Sequence, residues 1–298
     1  MFLACMLVAG FLCQTSTAQQ PKGLSRKLSE KARIDSASEG AAPRKMKPKW
    51  IRKWQGKAGK GGSNAWDVFV YRDRVYATGI KMDVFWTRTA PLVLRAYTLG
   101  GDVVWEKTWK GYKGKMGTGG AGAIIIGHGD FLYVGGAVSR DNMNASLLQK
   151  WDLNGNLIWT EYWGDKTNGG HHEVNGLAIV DNFLYLSHYS GASGLITIDA
   201  HIKKFDLTKL DERRPLSESL LWDRAYGKPD SHNTTDGHIH ADRTGVYIAG
   251  QYGGLKGRNV YNEGDAYLIK FDPAGKQQWM KLYTGNGHLE LTSGDSDL

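Results

Sequence analysis

The sequence predicts an all-β protein, a β-propeller of four-stranded antiparallel blades. Three observations predict it. A Trp-x-charged-x-aromatic motif recurs as Trp50-x-Arg52-x-Trp54, Trp105-x-Lys107-x-Trp109, Trp159-x-Glu161-x-Trp163, Trp222-x-Arg224-x-Tyr226 and Trp279-x-Lys281-x-Tyr283. The leading tryptophans are 55, 54, 63 and 57 residues apart, and a glycine (56, 111, 164, 227, 285) follows each copy within two residues. A strand with a tyrosine near its start and small residues at its end recurs between the copies, and Asp/Asn/Gly turns run into the next Trp. A fixed period of 50–60 residues with several short strands per period is the signature of propeller blades, which must stack to bury their faces.

The elements follow in order within each interval. The innermost strand is expected at Ala65–Val70, Ala123–Ile126, Gly176–Val180 and Gly237–Ala241. The tyrosine strand follows at Val75–Gly79, Leu132–Gly136, Leu184–Ser187 and Val246–Gly250. A third strand and its turn come next, as in Lys150 to Trp159, Lys270 to Trp279 and, in shorter form, Tyr97 to Asp102. The third interval replaces that turn with a longer polar insert, Asp206 to Ser219. The Trp-bearing strand is the outermost. Its i, i+2 and i+4 side chains share a face, so two rings and a charged stem cover the neighbouring blade. This predicts four complete blades, about 64–110, 121–164, 174–227 and 237–284. Trp50–Trp54 is then an orphan outer strand, and 285–298 resembles the lead-in to a further inner strand. The expectation is an incomplete or open ring, part of a longer protein and prone to self-association, because unpaired edges and uncovered aromatic faces invite it.

The turns Asp152-x-x-Gly155-x-x-x-Trp159 and Asp272-x-x-Gly275-x-x-x-Trp279, with the strands around Tyr76, Tyr133 and Tyr247, resemble the bacterial β-propeller repeat family (SBBP-like). They are more distantly similar to quinoprotein-like propellers. The resemblance spans roughly residues 50–284 and implies the fold. It implies no single activity, because propellers serve many roles.

The chain has 298 residues, 41% hydrophobic and 23% charged, which suits a globular body. Its net charge of +8 is concentrated in one segment: residues 21–60 carry thirteen Lys/Arg and three acids. Residues 61–298 carry a net −2, so the basicity belongs to a tail and nucleic acid is not an expected partner. Residues 1–18 are apolar and end Ser16-Thr17-Ala18, which reads as a signal peptide cleaved before Gln19, although no Lys or Arg precedes the apolar run. Residues 19–49 read as a flexible basic linker. Export to the periplasm, cell surface or medium is expected, with no transmembrane span. Both cysteines, Cys5 and Cys13, lie in the leader, so the body has no disulfide or thiolate chemistry.

His238 and His240 alternate on an inner strand beside Asp236, and the preceding blade carries His171, His172 and Glu173 at the matching place. Imidazoles and carboxylates from adjacent blades can converge on a divalent ion, so His172, Glu173, Asp236, His238 and His240 form the candidate metal site. Ordinary inter-blade hydrogen bonding is the competing reading. No other cofactor is expected. Asp152-Leu153-Asn154-Gly155-Asn156 has its glycine at the fourth rather than the sixth position and reads as a hairpin turn, not a calcium loop. No nucleophile elbow or phosphate loop is present, and no catalytic residue is assigned. The favoured function is a binding scaffold that grips a protein or glycan partner on a propeller face. The alternative is a polysaccharide-acting hydrolase or lyase with a His/acid site at the channel mouth.

Overall fold

The computed structural model describes residues 49–53, 63–81, 91–112, 124–140, 143–164, 170–191, 198–212, 214–227, 232–254, 265–283 and 289–293. All belong to one compact unit, Lys49–Leu298. The expected signal peptide and nearly all of the linker lie outside the described residues.

Alternating strands separated by short turns fold here as consecutive antiparallel meanders. The first sheet is β1 (Ser63–Tyr71), β2 (Arg74–Lys81), β3 (Leu92–Thr98) and β4 (Val103–Trp109), paired in chain order. The second is β5 (Ile124–His128), β6 (Phe131–Arg140), β7 (Met143–Asp152) and β8 (Leu157–Trp163). The third is β9 (His171–Val180), β10 (Phe183–Gly191), β11 (Ile198–Asp206) and β12 (Leu220–Tyr226). The fourth is β13 (His232–Asp242), β14 (Gly245–Gly254), β15 (Asp265–Phe271) and β16 (Gln277–Tyr283). Single parallel bridges, Asn144 to His171 and Ile198 to His232, join the second, third and fourth sheets. The protein is thus all-β with antiparallel sheets. Among the described residues no helix is long and apolar enough to cross a membrane.

Three departures from expectation stand out. The insert after β11 is not merely polar loop. It forms two short helices, α1 (Leu207–Asp211) and α2 (Leu216–Ser219), with Asp206 capping the first. Leu207 and Leu210 are buried against Tyr133 and Trp159 of the second sheet, so the insert fills the place of a turn. Second, β17 (Leu289–Ser293) pairs antiparallel with β16 at the outer edge of the fourth sheet rather than starting a new inner strand. Third, residues 50–53 are not a strand, yet Trp50 still behaves as its repeats do.

That behaviour explains the repeat. Apolar residues of facing sheets bury one another: Tyr76, Leu94 and Ala96 against Ile125, Leu132 and Val134, and Tyr185, Ile202 and Trp222 against Ile248, Ile269 and Phe271. At the rim three of the leading tryptophans, Trp50, Trp105 and Trp222, donate the indole N–H to the hairpin turn of the next sheet. Trp105 Nε1 donates to Leu153 O at 3.0 Å, and Trp222 Nε1 donates to Pro273 O at 3.1 Å. Trp50 Nε1 does the same to Leu99 O at 3.1 Å, with its ring stacked on Tyr97. The turns are held for them. The Asp152 carboxylate accepts from the backbone N–H of Asn154 and Asn156, both at 2.8 Å, and Asp272 repeats the device with Ala274 and Lys276. Burial pushes the Asp152 carboxyl up, but the bonds from Asn156 and Asn154 outweigh it and hold it below its ordinary range.

Candidate functional site

Strand alternation sorts the polar residues at the start of β9. His171 and Glu173 lie on one face and His172 on the other. The β9–β10 register sets Tyr189 opposite Glu173. The phenol of Tyr189 donates to Glu173 Oε2 at 2.6 Å, and His171 stacks on the Tyr189 ring with centroids 5.2 Å apart. The single β7–β9 bridge brings Asn144 beside His171. An amide nitrogen can only donate, so Asn144 Nδ2 at 3.0 Å makes His171 Nδ1 the acceptor. The ring proton then sits on Nε2, 3.0 Å from the Tyr189 oxygen. The result is a directed chain from Asn144 through His171 and Tyr189 to Glu173.

Glu173 is fully buried and, among the described residues, its Oε1 has no hydrogen-bond partner. Burial pushes its carboxyl up, and His171 and Tyr189 only partly pull it back. Burial thus makes this carboxyl a weaker acid than an ordinary glutamate. A buried carboxylic acid with an ordered donor beside it is suited to general-acid chemistry. Asp67 on β1 is also raised by burial, but its two oxygens accept from Val68 N and Ile125 N, which ties the first sheet to the second.

The structure does not bring all the expected metal ligands together. Glu173 joins Tyr189 and His171. His172 is buried on the opposite face, close against Gly164 at the end of the second sheet. His240 is exposed, beside Tyr247 and two residues from the end of β13, whereas His171 opens the parallel inner strand β9. The two lie toward opposite ends of the inner strands. His238 pairs with Ala249 along the backbone; its side chain and that of Asp236 lie outside the described residues.

A second cluster was not foreseen. His188, His201 and Asp223, from β10, β11 and β12, converge on the face of the third sheet that meets the second. Neither it nor the Tyr189–Glu173 pair has a signature in spacing, since both depend on strand register. The sequence signal that existed was the alternation of His171 and Glu173 at a strand start.

No protein-family profile matches the sequence, and no curated protein sequence matches it. Solved structures do. The chain is similar to the GH43 endo-arabinanase from Bacillus licheniformis, with TM-score 0.37 and 13% identity, over 80% of this chain and 95% of that one. It is similar to the native arabinanase of Bacillus subtilis, with TM-score 0.39 and 12% identity, over 76% and 94%. A lignostilbene dioxygenase from Pseudomonas brassicacearum matches with TM-score 0.34 and 9% identity, over 73% and 48%. These chains share the propeller architecture, and at such scores they carry no substrate or mechanism to the present protein. The expectation of a binding scaffold is nevertheless corrected. The similar chains are named as enzymes, two of them arabinanases.

Proposed function

We propose that the protein hydrolyses a polysaccharide, with the Glu173–Tyr189–His171 cluster as its acid site. The observation that carries this reading is the fully buried Glu173 carboxyl, pushed up by burial and hydrogen-bonded by Tyr189. Glycoside cleavage needs a carboxylic acid that keeps its proton until the leaving oxygen takes it. Once that proton is given up, the Tyr189 phenol stabilises the new carboxylate, and His171 Nε2–H supports the phenol oxygen in turn. Such a reaction also calls for a second carboxylate. We further propose that the four meanders are blades of the bacterial repeat type, and that the mature chain begins at Gln19 and works outside the cytoplasm.

The test is release of reducing ends from arabinan, xylan, pectic and β-glucan polysaccharides by the purified protein. Turnover of one of them should fall by at least about 100-fold in Glu173→Gln, the scale of general-acid catalysis. Turnover by none, or turnover that Glu173→Gln leaves intact, overturns the assignment.

A further inference from the structure

We infer that His188, His201 and Asp223 form a binding site for a divalent transition metal of the Zn²⁺ type, separate from the Glu173 cluster. The register builds it. His188 and His201 are direct partners across β10 and β11, and Lys203 and Asp223 across β11 and β12. One ligand atom from each of His188, His201 and Asp223 lies within 4.8 Å of the others. Two imidazole nitrogens and one carboxylate oxygen suit Zn²⁺ and its neighbours, whereas Ca²⁺ and Mg²⁺ call for oxygen alone.

The independent observation is His188 itself. It is 3% exposed, and among the described residues its ring nitrogens have no well-aligned hydrogen-bond partner, only a weak interaction with the neighbouring Tyr189 backbone. Buried polar groups are nearly always paired, and a bare imidazole in the interior forfeits its solvation for nothing unless something binds it.

The surroundings supply the outer shell that metal histidines require. His201 Nδ1 lies 3.1 Å from Asp223 Oδ1, and its Nε2 lies 3.2 Å from Ser190 Oγ. An ion that takes His201 Nδ1 and Asp223 Oδ1 displaces the ring proton to Nε2, where Ser190 Oγ accepts it. No net proton need leave a neutral ring. Lys203 Nζ already holds the other carboxylate oxygen, Asp223 Oδ2. His188 completes the set from its stack on His201, with ring centroids 4.8 Å apart. Among the described residues the Lys203 ammonium is a neighbour that opposes a cation, and it moderates affinity.

The test uses the whole chain, stripped with a chelator and dialysed. Zn²⁺ titration by calorimetry should show one saturable site, and Co²⁺ should give the intense visible bands of four-coordinate nitrogen–oxygen ligation. His201→Gln and Asp223→Asn should each lose the site. Lys203→Met should tighten it at least tenfold, and His240→Ala, outside the cluster, should leave it unchanged. No saturable uptake, uptake that survives His201→Gln, or uptake lost in His240→Ala overturns the inference. Where the variants do not fold by circular dichroism, the wild-type cobalt spectrum decides: a weak six-coordinate aquo-type spectrum overturns it. None of these readouts depends on polysaccharide turnover, so the two assignments fail separately.

Discussion

Replacing Gly275 with alanine should be among the costliest single-methyl additions in the protein. Gly275 sits in the fourth-sheet turn at φ +83, and a Cβ built there would lie 2.8 Å from Trp222 Cδ2 and 3.0 Å from Cε2. Carbon contacts settle near about 3.5–4.0 Å, so the indole must withdraw by roughly 0.7–1 Å. A gap of that size forfeits a quarter to a half of the ring's contacts, or about 1–3 kcal/mol of the roughly 4–6 kcal/mol that burying a tryptophan contributes. The retreat also strains the bond from Trp222 Nε1 to Pro273 O, worth about 1 kcal/mol. Left-handed backbone at an alanine adds about 1 kcal/mol. The expected total is about 3–5 kcal/mol, read as a shift in the urea midpoint of tryptophan emission. Gly129 is the control. It is also left-handed, at φ +57, but a Cβ there meets nothing within 4 Å, so Gly129→Ala should cost only about 1 kcal/mol. In a Trp222→Leu background the cost of Gly275→Ala should fall toward that of the control. Equal costs for the two alanines, or no relief in the double variant, would refute the idea that the turn glycine exists to receive the tryptophan.

Other outcomes follow from the same contacts. Trp105→Phe should cost only about 1 kcal/mol, since Leu153 O keeps its bond from Arg74 Nη1 at 3.0 Å; chemical denaturation measures it. Asp211→Ala should cost about 2–3 kcal/mol, because the side chain of Lys150 is 5% exposed and loses its carboxylate at 2.7 Å, while Tyr133 loses its acceptor. Asp211 is itself about one-third exposed, which keeps the loss below that of a fully buried pair; Asp211→Asn should recover part of it. Glu173 has a raised folded-state pKa, so the stability it contributes is present below its ordinary value of 4.5 and is lost as pH rises through the folded value. Glu173→Gln should therefore be increasingly stable relative to wild type as pH rises from 4 to 8 in thermal unfolding, and a pH-independent difference would contradict the shift.

The sequence by itself determined the four-stranded antiparallel meander as a unit. Period-two alternation, the Tyr strand, the Asp-x-x-Gly turn and the Trp two residues from a charged stem are local features, and each acts within a few residues of itself. Even the target of Trp105 and Trp222 was legible as the neighbouring repeat, because a one-sheet blade has nowhere else to bury a ring. Tertiary structure alone decided what each repeat does differently. The insert after β11 reads as polar, yet its turn of helix hides Leu207 and Leu210 and offers Asp211 to Tyr133 and Lys150. Trp159, facing that insert, keeps its burial but has no acceptor for its indole N–H. His171, His172 and Glu173 look like one group in the chain and are divided between two faces by the pleat. Glu173 finds Tyr189 sixteen residues away, and His188 finds His201 and Asp223, only because hydrogen-bond register aligns those strands. Register is set by the summed pairing and packing of whole strands, so no short window of sequence contains it.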